Sequence, residues 1–168
     1  MAQLIKHGVA TTDSWQILDL AAGESPETVA LPDGDIIFPL AVWQARKDEI
    51  VSRPTIGLLL QPADRVEDVA GELASFNLIA VNFPKFVDGR GYSTAALLRQ
   101  RYGYTGELRA VGDVLHDQLF FMRRVGFDSY ALKDGKSLDY AIAAGFKPFT
   151  EAYQGATDQA QPYFRRRA

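Results

Sequence analysis

The chain has 168 residues, enough for one domain with a substantial core, and a formal net charge of −3 at pH 7. Its apolar fraction of 47% and charged fraction of 23% are those of an ordinary soluble globular protein, and the mild acidity argues against a general binder of nucleic acid or acidic membranes. The absence of cysteine excludes disulfides, thiol catalysis and iron–sulfur clusters held by cysteines of this chain.

The opening stretch MAQLIKHGVATTDSW lacks the charged-then-apolar pattern of a signal peptide. No apolar run approaches the ~20 residues of a bilayer span, so a cytoplasmic protein is expected. Residues 3–8 and 15–18 read as two short strands joined by a polar turn, a lead-in hairpin. From Ala21 to Gly34 the chain is rich in Gly, Pro and acidic residues and reads as a loop. Asp35 to Phe38 is a short buried strand. Pro39 is placed to open a helix in which Leu40, Trp43 and Ile50 recur at roughly helical spacing.

A repeat of strand and helix follows. Thr55–Leu60 is apolar without alternation, as in a parallel strand covered on both faces. Ala63–Phe76 carries Val66, Val69, Ala70 and Leu73 on one helical stripe, with Asp64 available as N-cap. Leu78–Phe83 is the next strand. Ser93 reads as the cap of a helix running through Tyr102, and Gly103 as its C′ residue. Glu107–Val111 is a strand, Asp113 opens a helix that Gly126 closes, and Asp128–Leu132 is the last strand. A helix near Ser137–Ala144 ends at Gly145.

These five βα units, in residues 35–145, imply a single α/β domain with a mainly parallel sheet and right-handed crossovers. A three-layer doubly wound sheet and an incomplete (β/α) barrel both fit. In either, ligands gather beyond the carboxyl ends of the strands, which singles out Pro84–Ser93 and Gly112–Gln118 as neighbouring loops. The tail, residues 146–168, carries Phe149, Tyr153, Tyr163 and Phe164 and ends in three arginines and an alanine. It reads as a solvated end or as an arm that docks on a partner.

The first loop holds Asp88-Gly89-Arg90-Gly91. Two glycines permit a sharp turn or a close approach to a ligand, Arg90 and Lys85 add positive charge, and the helix at Ser93 adds backbone donors. An anion cradle of Lys85, Asp88, Gly89, Arg90, Gly91, Ser93 and Gln118 follows; a plain β-to-α turn with Asp88 paired to Arg90 fits equally well. It is neither a Walker A loop nor a complete dinucleotide fingerprint. Glu107 and Arg109 project from one face of their strand, where charges must be paired. A structural ion pair explains Glu107, while Arg109 lies nearer the strand's carboxyl end, within reach of a ligand. Asp113 and Asp117 stand one turn apart, so Arg109, Asp113 and Asp117 are the candidate catalytic set, although N-capping accounts for Asp113. Asp-x-x-His-Asp lacks the second histidine of a transition-metal site, so no metal is expected.

The stretches FPKFVDGRGYS and GELRAVGDVLHDQLFFMRRVGFD resemble a small bacterial family of unknown function, commonly described as an oxidoreductase of sulfite reduction because its members tend to be encoded beside the assimilatory sulfite reductase. The resemblance spans about Ile36 to Leu132. Its pattern falls on Asp88, Gly89, Arg90, Gly91, Tyr92 and Ser93, then on Glu107, Arg109, Gly112, Asp113, Asp117 and Gln118. His116 stands where the pattern often has arginine, which weakens the case for a catalytic histidine. The sequence has no flavin, haem or nicotinamide signature, so no cofactor is expected and the redox chemistry would belong to a partner. The resemblance therefore implies an accessory protein that docks on the sulfite reductase or its electron donor, with an anion site at the strand ends; homo-oligomers are compatible with it. A free-standing enzyme acting on a small anionic metabolite and a purely structural subunit are the alternatives.

Overall fold

The computed structural model describes residues 3–147, 149 and 151–166. Its eight strands form one sheet: β1 (Gln3–Lys6), β2 (Val9–Thr12), β3 (Gln16–Ile17), β4 (Ile36–Pro39), β5 (Gly57–Leu60), β6 (Leu78–Phe83), β7 (Glu107–Gly112) and β8 (Ser129–Tyr130). The helices are α1 (Leu40–Ile50), α2 (Arg90–Ala96), α3 (Leu119–Val125), α4 (Leu138–Ala144) and α5 (Tyr163–Arg166). Strand order is β2-β1-β8-β7-β6-β5-β4-β3. From β3 to β8 every neighbouring pair is parallel, and β1 joins β8 antiparallel.

That order decides between the two expected architectures. Successive parallel strands are neighbours throughout, so right-handed crossovers put their helices on one face of the sheet. A doubly wound sheet needs a reversal of strand order, and none occurs. The sheet instead curls. β2 and β3 lie on opposite edges, about 34 Å apart in a flat sheet at ~4.8 Å per step. Only residues 13–15 join them, and the chain from Thr12 to Gln16 reaches at most ~14 Å. The edges must therefore approach each other, which makes the fold a curled, incomplete barrel.

Alternation along the strands creates two apolar layers. Phe38, Leu58, Leu60, Ile79, Val81, Phe83, Leu108, Ala110 and Tyr130 face the helices and form the main core. On the concave side, Ile37, Leu59, Leu78, Ala80 and Val111 form a smaller cluster against which Trp15 and Ala131 pack. Gly57 leaves room there, since a Cβ on it would sit 2.9 Å from Ile37 Cγ1 and 3.0 Å from Trp15 Cζ3.

Several expectations are corrected. The lead-in hairpin is β1 with β2, turned at His7 and Gly8 with φ of 50° and 81°, and residues 16–17 instead pair with β4. Strand β2 is exposed at every residue, so it carries no alternation that a sequence reading could detect. Residues 63–76 form two short 3₁₀ turns, Val66–Val69 and Leu73–Ser75, rather than one helix, with Gly71 between them. Asp64 caps no helix; its carboxylate accepts from Gln61 N–H. Helix α2 starts at Arg90 and continues as a π-turn over Leu97–Arg101, which leaves Ser93 inside it rather than at its cap. Gly103, Gly126 and Ser137 stand as expected: Gly103 and Gly126 have φ of 65° and 114°, and Ser137 Oγ accepts from Tyr140 N–H.

Candidate functional site

Strand β7 sets the floor of the site. Its period of two turns Glu107, Arg109 and Val111 to the concave side and Leu108 and Ala110 to the helices. Arg109 is only 3% exposed, and all three of its guanidinium nitrogens donate to neighbouring side chains. Nη1 donates to both oxygens of Asp13, at 2.9 Å each. Nη2 and Nε donate to Glu107 Oε1 at 2.7 and 3.0 Å, and Nε also faces Ser129 Oγ at 3.4 Å. Ser129 Oγ donates to the same Glu107 oxygen, and Lys6 Nζ holds the other. Two cations and two carboxylates thus share one network inside the barrel. Burial works to raise the Glu107 carboxyl, but donors from Lys6 and Ser129, with the charge of Arg109, hold it below its ordinary value.

Asp13 reaches this network because residues 13–15 cross the concave side between the two sheet edges. Trp15 N–H donates to Asp13 Oδ1 at 3.1 Å, and Ser14 Oγ to Asp35 Oδ2 at 2.8 Å. The crossing segment therefore plugs the barrel, with Trp15 over Gly57 and Asp13 over Arg109.

Between this plug and the carboxyl ends of the strands lies a cavity of about 750 Å³. Trp15, Ile37, Val111 and Leu132 give it apolar walls, and Asp19, Asp113, Lys133 and Asp134 line it as well. Such a place, at the strand ends of a barrel-like sheet, is where α/β proteins hold ligands. Its electrostatics are acidic. Four carboxylates line it against two cations, Arg109 and Lys133, and both cations already hold a carboxylate.

The expected site residues divide by position. Arg109 and Asp113 line the cavity; Asp117 is exposed on the 3₁₀ turn His116–Gln118 and is not among its lining residues. Asp113 does not cap a helix. It faces Lys133 Nζ at 2.9 Å and accepts from Phe86 N–H at 3.2 Å, and the Lys133 ammonium holds its carboxyl below the ordinary range. Gln118 is buried, with Oε1 accepting from Leu115 N–H. Lys85, Asp88 and Gly89 lie on the loop after β6 and Arg90 opens α2, all outside the cavity lining. Arg90 gives Nε and Nη2 to Asp88 at 3.0 and 2.7 Å, so the turn-type pairing is present. Gly91 is buried, and a Cβ there would meet Phe83 Cζ at 2.6 Å, so its bareness serves helix-to-strand packing rather than ligand approach. Ser93 is exposed in the second turn of α2.

Sequence reading missed Asp13, Trp15 and Lys133. Lys133 follows β8 at its carboxyl end, so the strand-end rule that picked the other loops would have found it. Trp15, a lone large aromatic in a polar stretch, was a usable signal. Nothing local marks Asp13, because its partner is 96 residues away.

The chain resembles no curated protein closely enough to match. A family model described as a bacterial protein of unknown function, DUF934, matches residues 57–164, from β5 into α5. That span includes the loop at Asp88–Gly91, the strand bearing Arg109 and the ion-paired Asp113 and Lys133. Because the match covers well over half of the chain, the protein belongs to DUF934, a bacterial family of unknown function.

Proposed function

We propose that the protein is an accessory factor of assimilatory sulfite reduction that docks on the reductase or on its electron donor through the loop Pro84–Gly89. The link to sulfite reduction comes from the sequence resemblance. The observation that carries the docking reading is a pair of apolar side chains on a fixed loop: Phe86 is 48% and Val87 84% exposed. The loop is held from three sides. Phe86 N–H donates to Asp113, Asp88 N–H donates to Lys85 O, and the Asp88 carboxylate grips Arg90. Exposed apolar residues on a preorganised loop lose little entropy on binding, which favours a protein contact. Lys85 beside them has no salt bridge among the described residues and adds positive charge for an acidic partner surface.

The experiment is affinity purification from cells grown on sulfate, with wild type and a Phe86→Asp, Val87→Asp double variant. The reductase or its electron donor should co-purify with wild type and fall by roughly tenfold or more with the variant, as expected for loss of apolar anchors. Equal recovery would refute docking through this loop, and recovery of neither partner would refute the accessory role.

One observation favours the rival reading, a free-standing enzyme on a small anionic metabolite: the cavity of about 750 Å³ at the strand ends. An anion there would have to displace Asp13 or Glu107 from Arg109, or Asp113 from Lys133. Incubation of the isolated protein with sulfite separates the two, since the accessory reading expects no turnover without the partner.

A further inference from the structure

A second cavity, of about 360 Å³, lies among the β1–β2 turn, the end of α3 and α4. Phe127, Tyr130 and Phe146 supply an aromatic wall, with the Tyr130 and Phe146 rings edge-to-face at 5.2 Å. Arg123, Lys147 and His7 supply the polar side.

The charges here differ from those at the strand ends. Arg90, Arg109 and Lys133 each hold a carboxylate. Among the described residues, neither Arg123 nor Lys147 forms a salt bridge, and no hydrogen bond from either side chain is present. The Arg123 guanidinium rests over Phe120 and Phe146, at 5.9 and 5.8 Å from the ring centroids, which leaves its donors unused. One carboxylate, Asp128, lines the cavity, but it is committed elsewhere. Its Oδ1 accepts from Leu108 N–H and its Oδ2 from Arg99 Nη2, at 3.0 and 2.9 Å. The carbonyls at the end of α3 are also occupied, Arg123 O by Gly126 N–H and Met122 O by Phe127 N–H. Among the described residues, the cavity thus combines cations that form no salt bridge with a ring-lined apolar wall, and its one carboxylate is held by other donors.

We infer that this cavity binds a small amphipathic anion, an aryl or similarly flat apolar body carrying one carboxylate or equivalent oxyanion. The apolar body packs on Phe127, Tyr130 and Phe146, and the oxyanion takes a forked pair of bonds from Arg123 with Lys147 alongside. The site is separate from the docking loop and does not depend on it.

Benzoate is the probe, followed by calorimetry and by the NMR shifts of the Gly8 amide and the Ile142 methyl groups, both at the cavity. Benzoate should bind saturably, shift both signals and weaken as salt rises. Benzyl alcohol, with the same body and no charge, and sulfate, with charge and no body, should each bind at least roughly tenfold more weakly, the equivalent of one lost charge-assisted hydrogen bond or ring contact. Arg123→Gln and Lys147→Gln should each weaken benzoate several-fold while melting curves report folding. Lys147, unlike Arg123, makes no cation–π contact with Phe120 or Phe146, so its variant and the wild-type comparison of benzoate with benzyl alcohol decide the matter even where Arg123→Gln unfolds. Absence of saturable benzoate binding, equal affinity for benzyl alcohol, or unchanged affinity in Lys147→Gln with shifts elsewhere would overturn the inference.

Discussion

Replacing Arg109 with methionine tests whether the charged centre of the barrel is structural. The side chain is 3% exposed and touches Asp13, Glu107 and Ser129. Methionine keeps most of the volume and removes the charge, so the cost is mainly electrostatic. Glu107 keeps Lys6 and Ser129 as donors, but Asp13 keeps no cation. The Asp13 side chain is 12% exposed, and leaving such a carboxylate without its cation costs up to about 3–5 kcal/mol, the figure for a fully buried pair. That is a large part of the ~5–15 kcal/mol by which domains are stable. For a chain of this length it corresponds to a fall in melting temperature of roughly 10 °C. Because Asp13 also pins residues 13–15 across the concave side, the loss should include local opening there. Urea unfolding with tryptophan fluorescence reads both, since Trp15 sits in the plug and Trp43 is fully buried in the main core. Asp13→Leu added to Arg109→Met should recover a good part of the loss, because it removes the orphaned charge. A loss below about 1 kcal/mol for Arg109→Met would refute the reasoning and free Arg109 for a ligand role.

Three further outcomes follow from particular contacts. Gly91→Ala should destabilise by about 1–3 kcal/mol in urea, since its Cβ would lie 2.6 Å from the Phe83 ring buried beneath α2. The Glu107 carboxyl is held below its ordinary value of 4.5, so its stabilisation is complete above that pH and is lost as pH falls through the folded value; Glu107→Gln should be less stable than wild type near pH 7, with the gap closing in paired denaturation curves as pH falls below the ordinary carboxylate range. Phe149→Ala should cost about 1 kcal/mol, because Phe149 packs edge-to-face on Phe120 at 5.6 Å; no measurable change in melting would show that this part of the tail does not support α3.

The parallel strands and four of the five expected helices were legible because each carries its own local signals. Apolar runs such as TIGLLL and LIAVNF need both faces covered, and Gly103, Gly126 and Ser137 act within a single turn of chain. The segment at 63–76 misled because Val66, Val69, Ala70 and Leu73 fall on one helical stripe, yet short 3₁₀ turns bury Val66, Val69 and Leu73 equally well. Curl was illegible for a different reason. It follows from β2 and β3 lying on opposite edges, and both are exposed strands that pair only inward, β2 with its hairpin neighbour β1 and β3 with β4, so nothing local brings the two edges together.

The site shows where sequence reading of charge reaches its limit. Arg90, Arg109 and Asp113 stand out in the sequence as charges apart from an ordinary surface, yet the same residues admit two opposite uses. A cation free to bind an anion and a cation buried in an ion pair look alike until its partners are located. For Arg90 the partner is two residues away and the pair could be foreseen. For Arg109 the alternation of β7 foretold Glu107, two residues away, while Asp13 enters from the far end of the chain. Arg123 and Lys147, which form no salt bridge among the described residues, were read as a helix-end charge and a tail lysine. In a protein whose cations are mostly matched, it is the unmatched ones beside a cavity, rather than those in the most distinctive motif, that have donors left to offer.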